Sequence, residues 1–200
     1  MSFFNTVVKQ KDKTKITGTA DMTQYFTKTL AQYTVPEGVT KIRSHAFNSF
    51  WPEGDRLDIT LPSTLQTIEP YAFSESAIVA IDIPGNVKTI GDYAFSDTTL
   101  KELTLGEGIE TIGDGAFRWG PNIANLKIPN SVKSIGKEAF AGMDVGSVIE
   151  IGSGVETIGQ DAFDCAITSI TIHRKEGSIP NQDTWFGGYD PPTIIWDGDK

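Results

Sequence analysis

The chain has 200 residues, 38% of them apolar, with a formal net charge of −9 and a pI near 4.7. That is ample material for one core, while an acidic balance with scattered lysines excludes the basic footprint of a nucleic-acid-binding surface. The single cysteine, Cys165, rules out an internal disulfide, and no apolar run approaches a membrane span.

At the N-terminus, MSFFNTVVKQKDKTK has too few apolar residues ahead of its charges for a signal-peptide core, so export by the general secretory route is not expected. Residues 1–29 are expected to form an N-terminal cap or docking segment. Phe3 and Phe4 are its apolar part, and Lys9, Lys11, Lys13 and Lys15 alternate so as to share one side of an extended strand, suited to an acidic partner or to solubility. A first, degenerate coil starts early. Leu30-Ala-Gln-Tyr33-Thr-Val35-Pro36 repeats the pattern of Leu100-Lys-Glu-Leu103-Thr-Leu105-Gly106, with Tyr25-Phe26 standing about where an Ala-Phe pair should be.

From there the chain repeats. SHAF, PYAF, DYAF, DGAF, KEAF and QDAF place phenylalanines at Phe47, Phe73, Phe95, Phe117, Phe140 and Phe163, spaced by 26, 22, 22, 23 and 23 residues. A period in this range is the signature of a solenoid. Each unit offers two short strands. The first carries pairs such as Val87/Ile90 and Val132/Ile135. The second carries Ile81/Ile83, Leu103/Leu105, Leu126/Ile128 and their equivalents in the period-two pattern of a half-buried strand. Between them Gly91, Gly113, Gly136 and Gly159 stand where a sharp turn needs positive φ, followed by room for about one helical turn. The Phe of each turn is expected to point inward and stack on its neighbour, with a small Ala letting the coils approach.

At the C-terminal end Phe186 follows Phe163 by 23 residues, and Thr193-Ile-Ile-Trp196 can supply a last strand. Trp185, Tyr189 and Trp196 are then expected to be cap residues. The domain reading is a segment over 1–29, a solenoid over 30–172 and a degenerate repeat with its cap over 173–200.

The motifs IGDYAF, IGDGAF, IGKEAF and IGQDAF, with strand ends of the TLP and KIP type, resemble the BspA-type leucine-rich repeats of bacterial surface proteins and some bacteriophage proteins. The resemblance implies a right-handed, β-rich solenoid of about six full coils with degenerate capping repeats, and a binding role without catalytic residues. The first unit departs from the pattern. Arg43-Ser44 replaces its Gly turn, and the stretch after Phe47 is about four residues longer.

No catalytic constellation is visible, so the chain is not expected to be an enzyme, nor to hold a cofactor or metal. His45 and His173 lie five coils apart, and no acidic residues fall in a calcium-loop or paired-carboxylate pattern. Surface remains. One strand ladder reads Lys41, Thr67, Thr89, Thr111, Ser134, Thr157, and the other reads Thr60, Asp82, Thr104, Lys127, Glu150, Thr171. The stronger candidates are Phe50, Trp51, Arg118 and Trp119, in turns that elsewhere hold Ser, Asp or Ala. The two groups lie three coils or ~14 Å apart on one edge, and Trp and Arg are typical of binding hot spots.

The expected role is a non-enzymatic interaction module. Absent export signals favour a bacteriophage virion component (capsid decoration, head-fibre or tail-associated). The alternative is a bacterial cell-surface adhesin for host matrix protein or glycan. Partners are expected to be virion or host surface proteins or a surface glycan, without nucleic acid or membrane insertion, engaged by a homo-oligomer or array.

Overall fold

The computed structural model describes residues 15–16, 32–52, 56–120, 123, 125–143 and 148–198. Two-residue strands β1 (Lys15–Ile16), β3 (Lys41–Ile42), β5 (Thr67–Ile68), β7 (Thr89–Ile90), β9 (Thr111–Ile112), β11 (Ser134–Ile135) and β13 (Thr157–Ile158) stack into one seven-stranded parallel sheet. Every coil runs the same way, so its strand meets its counterpart parallel. Lys41, Thr67, Thr89, Thr111, Ser134 and Thr157 therefore fall in register as one outward row.

The longer strands form two four-stranded parallel sheets. One holds β2 (Gln32–Thr34), β4 (Leu57–Thr60), β6 (Ile78–Ile83) and β8 (Glu102–Leu105). The other holds β10 (Asn125–Ile128), β12 (Val148–Ile151), β14 (Ser169–Ile172) and β15 (Thr193–Trp196). Among the described residues β8 and β10 do not pair, so this side divides between the third and fourth coils. β15 is the last strand expected from Thr193–Trp196. Lys15, counted with the docking segment, stands in β1 opposite Lys41. Phe3, Phe4, Lys9, Lys11 and Lys13, like Tyr25-Phe26, lie outside the described residues.

Between the sheets runs the core. Phe47, Phe73, Phe95, Phe117, Phe140 and Phe163 are fully buried, and their rings stack with centroids 4.9 to 5.6 Å apart and planes within 5° of parallel. Beside each ring a backbone bond locks the coils. The N–H of each Phe donates to the carbonyl of the next coil's Ala, from Phe47 to Ala72 at 2.7 Å through Phe140 to Ala162 at 2.9 Å. The fully buried Ala is what permits that approach. Tyr33 tilts over Phe47 at one end. At the other, the Phe163 N–H donates to Trp185, whose buried indole takes the Ala place and meets Phe186 edge-on.

Two local expectations change. Gly91, Gly113, Gly136 and Gly159 are not the left-handed residues; a Cβ on any of them would strike the backbone of the preceding coil, such as Asp114 N at 2.5 Å from Gly136. Glycine is required there for approach. Positive φ falls two residues later, on His45, Tyr71, Tyr93, Gly115, Glu138 and Asp161. In place of a helical turn, the Ala-Phe segment is a run of tight turns closed by bonds such as Ala94 N–H to Gly91 O and Ser96 N–H to Tyr93 O, both 3.2 Å. Among the described residues the helical element is the 3-10 turn Gln182–Thr184. Among the described residues no helix is long and apolar enough to cross a membrane.

Candidate binding edge

Each Ala-Phe turn carries a left-handed residue two places before the Phe, and the first five turns carry another two places after it. The second set is Ser49, Glu75, Asp97, Trp119 and Gly142. With the Phe committed inward, this backbone turns the flanking side chains outward, and bonds such as Ser49 N–H to Ser74 O and Trp119 N–H to Ala141 O, both 2.8 Å, hold the coils in step. One edge of the solenoid is thus two parallel rows of outward residues.

The first row opens with an aromatic ladder. His45, Tyr71 and Tyr93 stack at 5.1 and 5.2 Å with planes 15° and 12° apart. It ends where Tyr93 lies across the bare Cα of Gly115. His45 Nδ1 is bound to the Ser44 hydroxyl at 2.8 Å. The ladder was not among the expected binding residues, because its variable composition reads as plain surface.

The structure separates the four expected edge residues. Trp51 is 47% exposed and donates its indole N–H to Glu75 O of the next coil at 2.6 Å. Trp119, 57% exposed, lies over Gly142 of the next coil, which has no side chain to exclude it. The Arg118 guanidinium sits 5.7 Å from the Trp119 ring centre, and its Nη1 pairs with Glu138 at 3.0 Å. Phe50 is a correction: only 4% exposed, it belongs to the core and offers no partner its ring. Its carbonyl accepts the Ala77 N–H at 3.0 Å, which turns the next residue, Trp51, outward while Phe50 goes in.

Tyr189 is a second correction. Trp185 is buried and Trp196 packs half-buried on the core, as caps should, but Tyr189 is 50% exposed. Together with Arg118, Trp119, Glu138, Asp161 and Asp164 it borders a groove of about 200 Å³ floored by Ala141 and Gly142. The groove exists because this coil carries Ala-Gly where earlier coils carry Ser74-Glu75 and Ser96-Asp97.

Many carboxylates are engaged in joining coils. Asp92 accepts the Asp114 N–H at 3.0 Å, Asp114 accepts the Lys137 N–H at 2.7 Å, and Glu37 accepts the Ser63 N–H at 3.1 Å. At Glu69, burial alone would raise the pKa. The Ser44 N–H at 3.0 Å, Lys41 at 3.2 Å and the nearby Arg43 outweigh it, holding the carboxyl below its usual range. Burial, helped by Asp164, pushes the Cys165 thiol up to about 12. A wider groove of about 650 Å³ crosses the outer face of β4, β6 and β8 beside Glu37, Asp58, Asp82 and Glu102. Asp58 is already paired with Arg56 at 2.9 Å. Among the described residues, no group of three His, Cys, Asp or Glu side chains is placed to hold a metal. His173 and Asp197 meet at 2.7 Å, far from His45 along the stack.

A family model, the BspA type leucine rich repeat region, matches in six copies over residues 20–142, 53–168 and 110–183. Among solved structures the chain is similar to the pneumococcal vaccine antigen PcpA, with 21% identity and a TM-score of 0.54, covering 93% of this chain and 39% of that one. It is also similar to a leucine-rich repeat protein from Bacteroides ovatus, with 21% identity, a TM-score of 0.48 and coverage of 92% and 55%. A leucine rich cell surface protein from Faecalibacterium prausnitzii follows, with 20% identity, a TM-score of 0.35 and coverage of 84% and 60%. No curated protein matches.

Proposed function

The chain belongs to the BspA-type leucine-rich repeat family, and from that premise we propose that it is a non-enzymatic, adhesin-like module of a bacterial cell surface that binds a host matrix protein through its turn edge. The observation that carries this reading is the pair of half-exposed tryptophans. Trp51 and Trp119 keep about half their surface in solvent on one edge, separated by three Phe-ladder steps of 4.9, 4.9 and 5.2 Å. Large aromatics left wet on a rigid scaffold are the anchors from which interface hot spots are built. A single small edge binds weakly, so the module acts in many copies on its surface.

The virion role rested on signals missing from the start of the chain. This chain spans 39% of the length of the pneumococcal antigen it matches, so where it begins is no guide, and that ground falls away. Two measurements test the proposal. Mass spectrometry of a density gradient should recover the protein with the cell envelope; recovery at fixed stoichiometry in a phage band would overturn it. Biolayer interferometry against a panel of purified extracellular-matrix proteins should show binding that Trp51→Ala with Trp119→Ala abolishes. Binding to none of the panel, or equal binding by the variant, would also overturn it.

A further inference from the structure

We propose that the groove between Trp119 and Tyr189 is a receptor for a lysine or arginine side chain presented by a protein partner. The inference deepens the binding role and rests on the partner being a protein. Trp119 and Tyr189 offer half-exposed rings at its border, and the floor of Ala141 and Gly142 leaves it open. Its charges are unequally satisfied. Glu138 is paired with both Arg118 at 3.0 Å and Lys137 at 3.3 Å. Asp161 and Asp164 meet no cation among the described residues, although Asp164 accepts the Gly188 N–H at 3.0 Å.

Two uncompensated carboxylates beside two aromatic faces match one ligand chemistry. A long cationic side chain lays its methylene stem on the rings and brings its charge to the carboxylates. A neutral sugar could use the rings, but it would leave the excess negative charge where it is. An anionic ligand would be repelled by it. Arg118 already sits by Trp119 at 5.7 Å, the same pairing within the chain.

The test is an NMR titration of the ¹⁵N-labelled full chain with the peptide acetyl-Gly-Lys-Gly-amide, and with the same peptide carrying norleucine for lysine. The lysine peptide should shift the Trp119 indole and the Tyr189 amide, and norleucine should not. Asp161→Asn is a suitable variant because Asn tolerates the left-handed backbone at this position, φ 56°. It should weaken binding by about three- to fivefold, and raising salt from 20 to 500 mM on the order of a Debye-screening series should weaken it likewise. Tyr189→Ala, at an exposed site, should also weaken it. Equal shifts from norleucine, or no response to Asp161→Asn and Tyr189→Ala, would overturn the proposal. So would shifts at the groove from methyl glycosides but none from lysine. Lysine binding at the groove in a chain that binds no matrix protein would leave this inference standing and defeat the matrix-adhesin reading. The reverse result would do the opposite.

Discussion

Tyr71 and Phe73 leave the same turn two residues apart and meet opposite fates. Phe73 is fully buried between Phe47 and Phe95 at 4.9 Å on each side. Tyr71 is stacked almost as regularly between His45 and Tyr93 but lies on the surface. Both ladders follow from one cause, the repetition of a turn once per coil. The inner ladder is enclosed between the seven-stranded sheet and the two four-stranded sheets, and every ring is a Phe. The outer one has water on one side, and its residues change from His to Tyr to Gly to Glu to Asp. Stacking is therefore a consequence of the period, whereas residue identity is demanded only where water is excluded. That leaves the outer edge free to vary toward a partner.

The largest effect expected from breaking this contrast is at the inner ladder. Phe117→Ala removes a ring with a partner on both faces and should cost ~3–5 kcal/mol in urea unfolding. Next is the approach of the coils: a methyl on Gly136 meets Asp114 N and Gly113 C at 2.5 Å. Gly136→Ala should therefore cost ~1–3 kcal/mol by the same measurement. Tyr71→Ala, although it deletes a ring stacked on both sides, should cost only about 1 kcal/mol, because half of that environment is solvent.

A smaller effect sits at Cys165. Its thiol titrates near 8.5 when unfolded and at about 12 in the fold. The folded chain thus holds the proton longer. The contribution to stability is complete below about pH 8.5 and declines as pH rises from there toward about 12. Cys165→Ala should flatten that part of the stability profile, and a disulfide reagent at pH 8 should label the wild-type thiol only in urea.

The fold was legible because its core is written once per coil. Six Ala-Phe pairs and their flanking aliphatics specify burial with the same residue types each time. The turn was less legible. Gly91 and its equivalents suggest positive φ, but their actual role is to lack a Cβ against the neighbouring coil, and the left-handed backbone rests on ordinary residues such as Tyr93 and Glu138. The candidate edge was legible in part. Trp51, Arg118 and Trp119 stood out against small residues, but nothing local distinguishes Phe50, which points inward, from Trp51 beside it. Tyr189 was read as a cap because its nearness to Trp119 depends on the path of the last coil, where Trp185 replaces the usual Ala. The division between β8 and β10 likewise had no mark in the apolar pattern, which continues through both strands.

The smallest expected change is also the sharpest test of the division between inner and outer ladders. In urea unfolding, the Trp51→Ala, Trp119→Ala double variant should keep its stability within about 1 kcal/mol of wild type, with an unchanged slope, while losing matrix-protein binding. A fall comparable to that of Phe117→Ala would contradict the account, showing that the tryptophans belong to the packing of the coils and that the edge is not free to bind.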